Sequence, residues 1–186
     1  MVTTFRIRRA AQILRNGGVI AYPTEGVYGI GCLPSDEQAI AHILQTKQRS
    51  AEAGLILIAA HLDQLEGWIL PAPEELRHLQ APVARPTTWV VTAGPLAGDL
   101  LTGGRDTLAV RITEHPVAAT LCLAAQSPLV STSANRRGSA PALTARAARQ
   151  KLGFALDYVI SGPLSHSAGA SEIRVAIDDQ LIRPAA

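Results

Sequence analysis

One stretch, residues 17–31, reading GGVIAYPTEGVYGIG, limits the folds open to this chain more than any other. Residues 19–22 form a short apolar run behind two glycines, the pattern of a buried strand. The run leads directly into Pro23-Thr24-Glu25-Gly26 and then Tyr28-Gly29-Ile30-Gly31, which reads as one glycine-rich loop. Glycine permits positive φ and close approach of backbone to a neighbour or ligand. Thr24, Glu25 and Tyr28 bring polar groups to the same place. A strand delivering such a loop builds a site on a rigid edge. The same residues would also serve a tight turn with incidental polar side chains.

The other segments supply a sheet and its cover. Residues 5–16 place Ile7, Ala10, Ala11 and Leu14 on one helical face, with Gly17 positioned to end the helix. Ser35-Asp36-Glu37-Gln38 reads as a capping box opening a helix whose apolar face is Ala39, Ile40, Ile43 and Leu44. Residues 55–60 (LILIAA) predict a second buried strand, and 62–69 and 73–79 predict short helices. Strands are expected at 88–92 and 108–112, divided by a turn-rich segment over 93–104. A helix at 116–125, a strand at 129–131 and a helix at 144–152 follow, then late strands at 158–160, 173–176 and 181–183. Between them, residues 161–171 are rich in Ser and Gly and read as a mobile flap. This irregular alternation predicts a mixed α/β sheet protein rather than a series of βαβ units.

Composition sets the class. A chain of 186 residues with 47% hydrophobic and 17% charged residues suits one folded domain over 1–186 and argues against disorder. No apolar run approaches the roughly 20 residues of a membrane span, and no signal peptide is expected at the start. Cys32 and Cys122, far apart and outside any CxxC, fit a reducing cytoplasm rather than a disulfide framework. Neither GxGxxG nor GxxxxGK[ST] occurs, which argues against Rossmann and P-loop nucleotide binding. The net charge is only +2, yet 15 of the basic residues are arginines and two are lysines, Lys47 and Lys151. Arginine suits bidentate binding of carboxylate and phosphate, although a genome-wide preference for arginine gives the same ratio.

Three constellations carry chemistry. Lys47-Gln48-Arg49 ends a helix just before the second strand. It reads either as two surface cations satisfying the helix dipole or as a point charge and a fork for a polyphosphate. Ser131-Thr132-Ser133-Ala134-Asn135 leaves a buried strand and ends in Arg136-Arg137-Gly138. Its hydroxyls and amide can bind phosphate oxygens without adding charge, or can merely stabilise a turn. Arg111, near His115-Pro116 at a helix start, is placed to hold a carboxylate or to sit exposed at a strand edge. His42, His61, His78 and His166 lack metal-ligand spacing and read as surface residues, so no metal site is expected. No Ser-His-Asp or Cys-His arrangement is evident, which turns attention away from covalent catalysis.

The segments YPTEGVYGIG, KQR, Pro86-Thr87-Thr88-Trp89, Arg111 with His115-Pro116, LVSTSAN followed by RRG, and SEIR occur in that order along the chain. In this order and approximate spacing they resemble the YrdC-type threonylcarbamoyl-AMP synthases, close to the short bacterial form. The resemblance implies a YrdC-like single domain, a twisted mixed β-sheet flanked by helices around a basic concave cavity. It implies that L-threonine, bicarbonate and ATP give threonylcarbamoyl-adenylate and pyrophosphate. Partner proteins would then transfer the threonylcarbamoyl group to the adenosine beside the anticodon of tRNA. By the same resemblance Thr24, Tyr28, Arg111, Ser131 and Ser171 would hold threonine. Lys47, Arg49, Thr88, Ser133, Asn135 and Arg183 would hold ATP, Lys47 and Arg49 as the catalytic cations. Mg²⁺ would arrive with ATP, without a dedicated protein site.

Departures from the family pattern are specific. Ser50 follows the KQR segment where Pro is frequent, and Ile58 stands where longer members carry His. Pro141 replaces a serine near the nucleotide, and Ser171-Glu172-Ile173-Arg174 replaces a late ESTVVD-like segment. The end soon after Arg183 leads one to expect no additional C-terminal domain. The rival expectation is an RNA-binding or ribosome-maturation role for the basic concavity, with tRNA contact falling steeply with salt.

Overall fold

The computed structural model describes residues 2–165 and 169–185. Helix α1 (Thr4–Arg15) buries Ile7, Ala10, Ala11 and Leu14, the face its spacing predicts, and Gly17 turns the chain at φ 81°. β1 (Ile20–Pro23) then pairs antiparallel with β2 (Tyr28–Gly31), with Ile20 opposite Gly31 and Pro23 opposite Tyr28. The expected glycine-rich loop is thus half strand. Side-chain periodicity is silent in Tyr-Gly-Ile-Gly because glycine carries no side chain. Its absence of Cβ is what the sheet requires, since a Cβ on Gly31 would lie 1.9 Å from the Val130 carbonyl oxygen.

Helix α2 (Glu37–Lys47) is capped by Asp36, whose carboxylate accepts from the Ala39 amide at 2.9 Å. The cap therefore sits one residue beyond the Ser35 suggested by the sequence. β3 (Ile56–Ala59), α3 (Pro73–Gln80), β4 (Thr87–Thr92) and the short α4 (Asp99–Thr102) follow. Residues 62–69 form one 3₁₀ turn, Leu62–Leu65, rather than a helix, and Gly67 at φ 79° leads the chain away. β5 (Thr107–Ile112), α5 (Pro116–Ala125), β6 (Leu129–Ser133), α6 (Ala145–Leu152), β7 (Tyr158–Val159), β8 (Glu172–Val175) and β9 (Leu181–Arg183) complete the order. Among the described residues no helix is long and apolar enough to cross a membrane.

The strands form one mixed sheet in the order β7-β1-β2-β6-β3-β5-β4-β8-β9. Alternation along each strand divides the core between its two faces. On one face Ile20, Tyr22, Ile58 and Leu129 pack under α1 and α5, against Leu14, Leu121 and Cys122. On the other, Ala21, Ile30, Leu57, Val110 and Val130 pack under helices that contribute Ile40, Ile43, Leu101 and Leu152. Each fully buried leucine or isoleucine contributes roughly 1.5–3 kcal/mol of transfer free energy.

The site arises where helical cover runs out. Leu129 lies under α5, but two and four residues on, along the same face of β6, stand Ser131 and Ser133. Across the sheet Ile56 is opposite Ser131, and Arg111 is opposite Ile58. One strand face therefore changes from apolar core to polar floor within two residues.

The close approach of β2 to β6 is testable. Gly31→Ala forces a methyl against Val130 backbone, and overpacking of that kind costs about 1–3 kcal/mol. Urea denaturation of the variant should show that loss with the cooperative transition retained. A midpoint equal to that of the unsubstituted protein would show that the sheet yields there.

Candidate active site

A cavity of about 430 Å³ opens on the polar end of that face. Thr24, Glu25, Gly26 and Val27, from the β1–β2 turn, form one wall. Arg111, Ser131 and Ser133 form the floor, and Arg49, Arg85 and Arg183 stand around the rest. Thr24 shapes its turn by donating from Oγ1 to the Val27 carbonyl at 2.7 Å.

Charge in the cavity is unevenly paired. Glu25 and Arg111 are both buried, with Glu25 Oε2 3.3 Å from Arg111 Nη2. Thr113 Oγ1 donates to Glu25 Oε1 at 2.5 Å. Burial pushes the Glu25 carboxyl up, but Arg111, the Thr113 hydroxyl and its own backbone amide outweigh that push and hold it below the ordinary carboxylate value. His115 Nδ1 caps α5 by accepting from the Val117 and Ala118 amides. The proton is consequently on Nε2, which donates to the Pro163 carbonyl at 3.0 Å.

Among the described residues the remaining cations of the cavity have no such carboxylate. Arg49 Nη2 donates to the carbonyls of Ala53 and Gly54 at 3.1 and 2.8 Å. Burial, then the charge of Arg105, lowers its pKa. Arg183 Nη2 donates to the Ser171 carbonyl at 2.7 Å, and its pKa is lowered by burial, Arg111 and Arg49. Lys47 Nζ donates to the carbonyls of Ser133 and Asn135, and burial followed by Arg49 lowers its pKa to about 8. These groups are charged in a place that disfavours the charge. Among the described residues, three buried side-chain polar atoms have no hydrogen-bond partner: Glu25 Oε2, Arg49 Nε and Arg111 Nε. All three belong to residues lining this one cavity.

Of the site residues expected from sequence, Thr24, Arg49, Arg111, Ser131, Ser133, Ser171 and Arg183 line the cavity. The other four stand behind it. Thr88 is fully buried and shares a 2.9 Å hydrogen bond with Ser171 Oγ. Tyr28 directs its hydroxyl to the backbone of Gly162, donating to the carbonyl at 2.6 Å and accepting from the amide at 3.0 Å. Lys47 lies beneath the exit of β6, and Asn135 Oδ1 accepts from Ser133 Oγ at 2.6 Å. Ile58 is core, while Ile56 faces the cavity.

The expected flap over 161–171 falls partly on 166–168, which lie outside the described residues together with His166. Before them, the Ser165 amide donates to the Glu25 carbonyl, and after them the Gly169 amide donates to that of Gly26, both at 3.1 Å. Sequence reasoning brought Glu25 to the site as a polar group without a ligand to hold, and it missed Thr113. The available signal was an acidic residue directly after Thr24, where the strand empties into its turn. Among the described residues no group of three or more His, Cys, Asp or Glu is placed to hold a metal ion.

Known proteins share the sequence and the fold of this chain. A family model described as Telomere recombination, the Sua5/YciO/YrdC model, matches residues 12–185. The threonylcarbamoyl-AMP synthase of Nitrosococcus oceani is 48% identical, over 96% of this chain and 97% of its own length. That of Pseudomonas paraeruginosa is 41% identical over the whole of both chains. Among solved structures, P. abyssi Sua5 complexed with L-threonine superposes with a TM-score of 0.92 at 30% identity, covering all of this chain and 55% of that one. This chain thus spans little more than half of that Sua5. E. coli YciO superposes with a TM-score of 0.82 at 25% identity, covering 96% of this chain and 88% of its own. With the motifs in order, the sheet superposed and the match running nearly end to end, the chain belongs to the Sua5/YciO/YrdC family.

Proposed function

We infer that this protein is a threonylcarbamoyl-AMP synthase, an ATP-dependent enzyme acting in tRNA modification. One observation carries the reading beyond family membership. Among the described residues, the buried polar atoms without partners all belong to residues that line one cavity, where arginines outnumber carboxylates and burial disfavours their charge. A cavity of that kind is completed by an anionic ligand.

L-Threonine, bicarbonate and MgATP are the substrates of the reading, Mg²⁺ entering as part of the nucleotide. The threonine amine attacks bicarbonate, water leaves, and a carbamate oxygen then attacks the α-phosphate to release pyrophosphate. Both steps gather negative charge on oxygen. Fixed cations and neutral donors stabilise such charge without a protein nucleophile. Holding three reactants in line supplies up to roughly 7–11 kcal/mol of the barrier reduction. Arg111 takes the threonine carboxylate, and Ser131 contributes a neutral donor beside it. Arg49, Arg183 and the Ser133–Asn135 loop take the phosphates. Lys47 acts from beneath that loop, bracing its carbonyls while adding charge. The adenylate passes to partner proteins that modify tRNA, in the cytoplasm.

Incubation with ATP, bicarbonate and either threonine or serine tests the reading through pyrophosphate release. Release should require threonine; release indifferent to it would end the synthase assignment. Arg49→Ala should lose at least about tenfold in kcat/KM for ATP while remaining folded, the scale of a lost charge-assisted contact.

Proton linkage gives a separate check. In the free protein Lys47 loses its proton near pH 8, and a polyphosphate alongside favours the charged form. ATP binding at about pH 8.5 should therefore take up protons, visible as a binding enthalpy that varies with the ionisation enthalpy of the buffer. Affinity should fall as pH rises above 8. Lys47→Arg keeps its charge throughout and should abolish the uptake. Equal uptake in both proteins would place the nucleotide away from Lys47.

A further inference from the structure

Glu25 is the only carboxylate lining the cavity among the described residues, and none of the steps above uses it. Its side chain is 4% exposed. Thr113 occupies Oε1, while Oε2 lies 3.3 Å from Arg111 Nη2 without forming a hydrogen bond of good geometry. Arg111 in turn leaves Nε buried and unpartnered. Two opposite charges thus lie side by side, each with an unused polar atom, on the wall and floor of the same cavity.

Such a pair discriminates by charge pattern. A simple anion drawn to Arg111 meets the field of Glu25, and a simple cation meets that of Arg111. A ligand with both charges a few bonds apart satisfies the two unused atoms together. We propose that Glu25 and Arg111 form a zwitterion subsite, in which Glu25 Oε2 accepts a hydrogen bond from the α-ammonium of a free amino acid while Arg111 holds its α-carboxylate. This rests on the reading that threonine is a substrate, and it gives Glu25 a substrate-binding role there.

The neighbours suit the task. Thr113 and Arg111 keep the carboxylate ionised, so it orients the amine as an acceptor and is too weak a base to take its proton. The Glu25 carbonyl accepts from Ser165, which pins the backbone that carries the carboxylate. Once nitrogen has become part of a carbamate its positive charge is gone, and the attraction to Glu25 goes with it. The new negative charge is repelled from Glu25 toward Arg49 and Arg183. The subsite consequently favours the free amino acid over the intermediate made from it.

The test compares L-threonine with 2,3-dihydroxybutanoate, which keeps the carboxylate, methyl and β-hydroxyl but has a hydroxyl in place of the ammonium. Calorimetric titration should show the wild-type protein preferring threonine by about tenfold or more, the scale of a charge-assisted hydrogen bond. In Glu25→Gln that preference should collapse toward unity, and KM for threonine should rise far more than KM for ATP. Equal affinity for the two ligands in wild type overturns the proposal without any variant. A folded Glu25→Gln protein that keeps the preference also overturns it. A wild-type protein that binds no threonine and releases no pyrophosphate would instead refute the synthase reading itself, so the two failures are distinct.

Discussion

Removing a guanidinium and a carboxylate from water together is expensive, and their mutual attraction offsets the cost only when further hydrogen bonds complete the geometry. Arg111 and Glu25 meet that condition in part. Thr113 completes one carboxylate oxygen, while the other and the guanidinium Nε have no hydrogen-bond partner among the described residues. Much of the architecture around them serves to hold this incomplete pair. β5 presents Arg111 near its end and Thr113 follows just beyond it, and the β1–β2 turn brings Glu25 to meet both. His115, two residues beyond Thr113, caps α5 with one ring nitrogen and binds Pro163 with the other. One short run of chain therefore fixes the ion pair, starts a helix and tethers the segment that borders the cavity.

That pair reaches the cavity because the hairpin lies close against its neighbour. Gly29 and Gly31 bring β2 near β6, since a Cβ at either would meet Ser131 Oγ at 3.2 Å or the Val130 carbonyl at 1.9 Å. The opening stretch is therefore less a ligand-wrapping loop than a thin strand with a charged turn. Gly26 extends the same economy to the turn, where a Cβ would lie 1.9 Å from the Gly169 carbonyl. Glycine is used here for proximity between backbones, and the side chains that matter are those it leaves room for.

What the sequence made legible follows the range of the interactions involved. α5 was readable to its ends because Pro116 at the first turn and His115 before it are local signals. α1 and α2 were readable from apolar spacing over a few turns. Glu25 was readable as a polar group at the turn, but its pairing was not, because its hydroxyl partner lies 88 residues further along the chain. Lys47 stood out as one of two lysines, but its bracing role depends on carbonyls 86 and 88 residues away. Composition could place a polar residue near the site without distinguishing a side chain that faces the cavity from one that stands behind it. Thr88 and Tyr28 belong to the second kind, their hydroxyls engaged with Ser171 and Gly162.

The division of charge across the cavity then acquires a chemical logic. At one end a cation is neutralised by its own carboxylate, which suits a ligand of no net charge. At the other, Arg49 and Arg183 have only backbone carbonyls as hydrogen-bond partners among the described residues, and burial and other arginines disfavour their charge, which suits a polyanion. Between the two lie the hydroxyls of Ser131 and Ser133, which can donate or accept as needed. On the proposed reading, a carbamate formed at the neutral end would carry a charge it did not have as an amine. The gradient from Glu25 toward Arg49 and Arg183 would then draw that charge toward the phosphate it attacks. Reversing the gradient, with the carboxylate near the phosphates, would hold the same ligands and oppose the reaction between them.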